Sequence, residues 1–375
     1  MRKHTAIKMN AKSSLKIISL LKVINYSIIR QGKNTQSDYG ETMFNWTIKE
    51  IELPLKFTWN ISRNSSDIKR NFIIELKNGS LSAKGEVAFN VRYGESRELI
   101  LEKFEEFKAQ APADFNGVES LVAFMDSMDL PQSLKFGLES AFVHYIAVLS
   151  GKTVAQLMGT NTVSSVKTSF SIPIMETGKV ESFIKDNNLH RFSVIKVKVN
   201  RDNAHDFCKE ILRLTNVPLR VDANESFETA AETLKFLENF PEIKRLEFLE
   251  QPLKANLHDE ALELKKHSPV FLMADESVTK EEINGYYPER FHGVNIKLMK
   301  AGGYMRAVKQ LRQAKLLGLK TMLGCMVETS LGISSALNIS GGVDFFDLDG
   351  CLLIKEDPYN LVIEENGKIF FSHIL

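Results

Sequence analysis

Cysteine is scarce in this chain, three residues in 375, and Cys208, Cys325 and Cys351 form no C-x-x-C pair. An odd, scattered set argues against a disulfide framework or a zinc ribbon, and for a reducing compartment, the cytoplasm. The eight histidines make no H-E-x-x-H or comparable cluster, so a bound metal would have to be held by carboxylates. An excess of one charge is also lacking, with 48 Lys and Arg against 47 Asp and Glu. That balance offers no electrostatic case for nucleic acid or an anionic membrane as a partner. No run reaches the ~18 uninterrupted apolar residues of a membrane span. Nor does a glycine-rich phosphate turn follow a first strand, which removes the usual sign of an open, doubly wound nucleotide-binding sheet.

What is present is an ordinary globular composition, 43% apolar and 25% charged, with length for one large domain or two. The first 33 residues stand apart, carrying eight Lys or Arg, no acid, and the patch IISLLKVINYSII. A secretory signal would not be interrupted by Lys22 and would end in a small-residue cleavage site. Residues 1–42 are therefore read as a disordered basic extension, or an upstream start, ahead of a working domain that begins near Met43.

From Trp46 the pattern turns β-like: TIKEIELPL, NFIIELK, the turn Asn78-Gly79, then LSAKGEVAF. Asn-Gly between alternating apolar runs is a hairpin signal. Helical periodicity follows, and Leu138, Ala141, Phe142, Tyr145 and Ile146 fall on one helix face. Residues 43–165 thus predict an α+β capping domain. Beyond Val166 strands alternate with amphipathic helices, at TSFSIPI, FSVIKVKV, LRVDAN, RLEFLEQPL, VFLMADES, GVNIKLMK, LKTMLGCMVE and DFFDLDG. Eight nearly all-apolar strands with crossover helices predict a TIM-type barrel over 166–350 that stops one helix short, (β/α)7β. The tail, 351–375, carries a hairpin around Asn366-Gly367 and is expected to return to the cap.

Ionisable residues recur along the barrel at the step of a βα unit. From Lys198 to Asp222 is 24 residues, to Glu250 a further 28, to Asp275 25, and to Lys297 22. Residues at matching strand ends converge at the mouth, where barrel enzymes do their chemistry. Three carboxylates there form a hard-oxygen set suited to Mg²⁺, with Mn²⁺ as a substitute. Lys198 and Lys297 then flank the acids from opposite sides, an arrangement able to move a proton from one face of a carbon to the other.

With IKVKVN, LRVDAN, FLEQPL, MADESV, VNIKLMKAGG, GCMVETSLG and DLDG in order, and GEVAFNVRYGES and LSGKTVAQLMG in the cap, the sequence resembles the enolase superfamily. Within it, the chain is similar to the muconate-lactonizing subgroup and its dipeptide epimerases, from about Thr47 to the C-terminus. The resemblance implies a dipeptide substrate whose C-terminal residue is epimerised by 1,1-proton transfer through an enediolate, with L-Ala-D/L-Glu the best match. It implies Mg²⁺ on Asp222, Glu250 and Asp275, and Lys198 and Lys297 as acid/base pair, partly neutral near pH 7. Lys196 would contact the substrate carboxylate. Asp347 and Asp349, two apart on the last strand and so on one face, would grip the α-ammonium group. Arg63 would meet the side-chain carboxylate of the second residue, and a dipeptide epimerase of other specificity, with a neutral or small second residue, is the alternative. Recycling of murein peptides would suit such an enzyme, and assembly into a homo-oligomer stays open.

Blander readings accompany each residue. A lone Asp, Glu or Lys is usually a solvated charge or an ordinary ion pair; five at strand ends reverse that. Lys300 competes with Lys297 on the same segment. Glu328 is read as an ion pair in the mouth, His144 as a core histidine, and Cys325 and Met326 as packing, while Asp347 and Asp349 could simply cap a loop. Rival functions are a muconate cycloisomerase or o-succinylbenzoate synthase on the same fold, which has no use for D-x-D, and a non-catalytic binding relative, which has no use for both lysines.

Overall fold

The computed structural model describes residues 43–62 and 65–372. The expectations for residues 1–42 and for Arg63 therefore lie outside the described residues. The chain opens with three antiparallel strands, β1 (Asn45–Asn60), β2 (Ser65–Asn78) and β3 (Leu81–Val87). The β2–β3 turn pairs Asn78 with Leu81, and Gly79 takes the left-handed conformation (φ 59°) that a tight hairpin demands. Four helices follow: α1 (Arg97–Gln110), α2 (Val118–Asp126), α3 (Gln132–Ser150) and α4 (Val154–Met158). Helix α3 lies directly on β3, and Gly85 and Gly137 let them meet. A Cβ at Gly85 would collide with the Gly137 carbonyl, and one at Gly137 with the Val87 side chain.

The remainder alternates as the apolar runs predict. After β4 (Val166–Lys167), eight strands form one parallel sheet in strict sequence order. They are β5 (Phe170–Ile172), β6 (Ile195–Lys198), β7 (Leu219–Asp222), β8 (Leu246–Glu250), β9 (Leu272–Ala274), β10 (Gly293–Ile296), β11 (Lys320–Gly324) and β12 (Phe345–Asp347). Their connections carry α5 (Val180–Asp186), α6 (Ala204–Leu214), α7 (Ala230–Glu238), α8 (His258–His267), α9 (Tyr286–Arg290), α10 (Leu298–Ala301), α11 (Tyr304–Leu316) and α12 (Ser330–Leu337). The first and last strands meet through Ser169 N to Phe346 O (3.4 Å), Leu348 N to Thr168 Oγ1 (2.8 Å) and Ser169 Oγ to Asp347 Oδ1 (2.7 Å). Arg220 closes the floor, its guanidinium 5.3 Å from the rings of both Phe248 and Phe345 and 2.6 Å from Phe346 O. Among the described residues no crossover helix follows β12, so the architecture is (β/α)7β with an α+β cap.

The tail divides its pairing. Lys56 N donates to Leu353 O (2.9 Å) and Lys355 N to Pro54 O (2.8 Å), which ties the tail to cap strand β1. The hairpin of β13 (Val362–Glu365) and β14 (Lys368–Phe371) instead adds antiparallel to β4, beside the start of the barrel.

Two buried cap carboxylates lock the cap onto barrel helices. Glu86, on β3, accepts from Thr329 N (3.0 Å), Thr329 Oγ1 (2.6 Å) and Gly332 N (3.1 Å) at the start of α12. Glu139, on α3, accepts from Met305 N (2.9 Å) at the start of α11. Each supplies an acceptor to backbone N–H groups that a helix start leaves unpaired. Among the described residues, no helix is long and apolar enough to cross a membrane.

Candidate active site

The strand ends bring the acids and lysines together. Lys198, Asp222 and Glu250 are the last residues of β6, β7 and β8, while Asp275 and Lys297 stand one beyond β9 and β10. Asp222, Glu250 and Asp275 are all buried, each offering one carboxylate oxygen within 4.8 Å of the others, the acidic group among the described residues that could hold a metal ion. Glu250 Oε1 accepts from Asn295 Nδ2 (2.8 Å). Its Oε2 is buried with no hydrogen bond aimed at it, although Lys196 Nζ lies 2.7 Å away as an ion-pair partner. Three convergent carboxylates, one with an oxygen short of a directed partner, fit a hard divalent cation.

Lysines stand at both flanks. Lys198 Nζ lies 2.5 Å from Asp222 Oδ2 and Lys297 Nζ 3.0 Å from Asp275 Oδ2, so they contact opposite ends of the acidic row. Burial opposes the charge on Lys297, but Asp275 outweighs it and holds the ammonium above the usual lysine range. Lys300 bonds Asp275 Oδ1 (2.6 Å), the Asp275 carbonyl and Asn295 O (3.3 Å). Three acceptors engage its three N–H donors, which makes it a tie for the Asp275 loop and leaves Lys297 the freer amine.

Lys196 joins the same acidic cluster. It is fully buried, with Nζ 2.9 Å from Asp222 Oδ2, 2.7 Å from Glu250 Oε2 and 2.7 Å from Asp347 Oδ2. Desolvation is overcome by Asp222, Asp347 and Glu250, so its ammonium is held well above the usual range. Its charge compensates that of Asp222, Glu250 and Asp347 within the acidic cluster.

The aspartate pair stands at the end of the last barrel strand. Strand β12 ends at Asp347, and Asp349 already leads a 3₁₀ turn, Gly350–Leu352. Asp347 is taken by Lys196 and Ser169, whereas Asp349 Oδ2 accepts from the backbone N–H of Ser171, two residues beyond Ser169 (2.6 Å). Burial, then repulsion from Asp347, pushes Asp349 up to about 7.

Glu328 is not an ion pair among the described residues. Its carboxylate accepts from Met326 N (2.7 Å), and burial followed by repulsion from Glu86 raises it to about 8. His144 does sit in the core, bonded to Lys84 O (2.7 Å) and Tyr304 Oη (2.9 Å). Sequence reasoning missed Asn295 and Gln251. Asn295 stands two before Lys297, and Gly324 leaves the space its amide occupies. Gln251 Oε1 accepts from Asp275 N (2.9 Å) and Ser277 N (3.1 Å), stitching the β8 and β9 loops. A period of two from Lys297 would have found Asn295; nothing local marks Gln251.

A capped (β/α)7β barrel with three convergent acids between two lysines defines a class of barrel enzyme, and comparison with known proteins sharpens it. Residues 180–347 match the family described as Enolase C-terminal domain-like. A Maribacter sp. protein named L-Ala-D/L-amino acid epimerase is 33% identical over 87% of this chain and 96% of its own. A Bacteroides thetaiotaomicron protein named L-Ala-D/L-Glu epimerase is 30% identical over 88% of this chain and 85% of its own. The Enterococcus faecalis dipeptide epimerase, solved with Mg and L-Leu-L-Tyr, shares the fold at a TM-score of 0.79 and 22% identity, covering 88% of this chain and 97% of its own. The chain belongs to the enolase superfamily and, within it, to the dipeptide epimerases: it is an isomerase acting on dipeptides.

Proposed function

We propose that the enzyme inverts the α-carbon of the second residue of an L-Ala-X dipeptide by 1,1-proton transfer, with L-Ala-D/L-Glu the leading substrate. The observation that carries this reading is the placing of Lys198 and Lys297 against opposite ends of the acidic row. One amine removes the α-proton from its side, and the opposite ammonium returns a proton from the other, so the proton count closes within each turnover. Asp222, Glu250 and Asp275 would hold Mg²⁺, with Mn²⁺ as a substitute on the same oxygens. When bound, the cation supplies charge stabilisation to the substrate carboxylate as the α-proton leaves. Asp349 is assigned to the substrate's α-ammonium group, because Asp347 is engaged by Lys196. The names of the Maribacter and Bacteroides relatives support alanine as the first residue.

The test is incubation of L-Ala-L-Glu in D2O with Mg²⁺, read by NMR. Deuterium should enter the glutamyl α-position as the L,D product forms. Lys198→Ala and Lys297→Ala should each lower turnover by about 10²–10⁴-fold, the usual worth of a positioned acid or base. Failure to exchange the α-proton of any L-Ala-X dipeptide would end the assignment.

A further inference from the structure

The loop that follows the β7 acid takes a path that side-chain-bearing residues seldom adopt. Asn224 and Glu225, two and three residues beyond Asp222, both have positive φ, 44° and 66°. Left-handed non-glycine residues are strained and persist only where the surroundings impose them. Part of that imposition is local: Asn224 N donates to Asp222 Oδ1 (3.0 Å), and Glu225 N to Gln251 O (2.8 Å). Asn224 Nδ2 reaches Glu276 Oε1 (3.2 Å), beside Asp275. These bonds link the loops after all three acids into one ring.

The ring is also gripped from the cap. The Glu225 carboxylate, 6% exposed, accepts from Arg92 Nε (2.7 Å) and Nη2 (2.6 Å), a fork of two parallel bonds, while Oε1 also takes Ala255 N (2.8 Å). Arg92 lies in a tight cap turn, Val91–Tyr93, fixed by Asn90 Oδ1 accepting from Arg92 N (2.9 Å) and ended by Gly94 in the left-handed region. A second cap contact, Ser62 Oγ to Asn224 O (3.1 Å), lands on the neighbouring residue. Both fall at the edge of a cavity of about 740 Å³ between cap and barrel, so the contact spans an open region instead of packed core.

We propose that Arg92 is a positioning residue for the metal site: by its two-point hold on Glu225, the cap keeps the loop after Asp222 in its left-handed path and so sets the Asp222 carboxylate. Cap docking and cation affinity are then one equilibrium. The inference rests on the reading of Asp222, Glu250 and Asp275 as cation ligands.

The experiment is calorimetric titration of Mg²⁺ into metal-stripped, substrate-free full-length enzyme. Arg92→Ala and Glu225→Gln should each weaken binding about tenfold or more, the scale expected for groups that orient ligands. The double variant should be no weaker than the worse single one, since both remove the same contact. Arg92→Lys, which keeps the charge but not the fork, should fall between. The Mg²⁺ concentration needed for half-maximal turnover should rise in parallel, with turnover restored at high Mg²⁺, a recovery that general misfolding would not permit. Unchanged affinity in Arg92→Ala, penalties that multiply in the double variant, or activity that excess Mg²⁺ fails to restore would overturn the proposal. If the unaltered enzyme takes up no Mg²⁺, the cation reading falls with it; if it does and Arg92→Ala matches it, only this inference falls.

Discussion

At the level of single residues, Asp349 offers a pH signature. Its carboxyl is pushed up to about 7 by burial and by Asp347, yet only the ionised form can pair with an ammonium group at charge-assisted strength. kcat/KM should therefore fall as pH drops through 7, by about tenfold per unit below that value. Asp349→Asn should lower kcat/KM and flatten this limb. A pH–rate profile checks it, and an unchanged limb in the variant would remove Asp349 from substrate binding. Some residues of this site are legible from sequence because their signal is local: a charge at the end of a short apolar run, repeated at the βα step. Arg92 and Glu225 stand 133 positions apart, and no periodicity marks either.

At the level of elements, the contacts between cap and barrel are made at helix starts. Glu139 meets the N–H groups opening α11 while deeply buried, and burial raises its carboxyl to about 7 from an ordinary 4.5. Because the folded pKa is the higher one, the folded state binds the extra proton between pH 4.5 and 7. This contribution is full below 4.5 and is lost as pH rises through 7. Glu139→Gln, which keeps an acceptor for Met305 N without the charge, should be more stable than the parent at pH 8. The gap should shrink towards pH 4.5, by up to about 3 kcal/mol over the whole window. Urea melts at the two pH values measure it, and a pH-independent difference would contradict the cause given. Amphipathic pattern announces α3 and α11 individually; that one caps the other follows only from their docking.

For the molecule as a whole, a cation that binds the folded barrel and not the unfolded chain must stabilise it by mass action. Mg²⁺ at a hundredfold over its Kd should add about 2.7 kcal/mol. Thermal melts with Mg²⁺ and with a chelator should separate accordingly, and Asp275→Asn should abolish the separation. Coincident melts in the unaltered enzyme would count against a cation on these acids.

The order of strands and helices, the barrel they build, and the placing of Lys198, Asp222, Glu250, Asp275 and Lys297 at its mouth were already written in the chain. Each depends on alternation and spacing within about thirty residues, and backbone geometry converts such short-range pattern into position. Partnerships across the closed barrel were not. Lys196 pairs with three acids, Asp347 is claimed from 151 positions away, the last hairpin joins β4, and Arg92 reaches the loop beyond β7. These choices are made only when distant segments meet, where burial of charge and unpaired backbone groups selects among partners that no local pattern distinguishes.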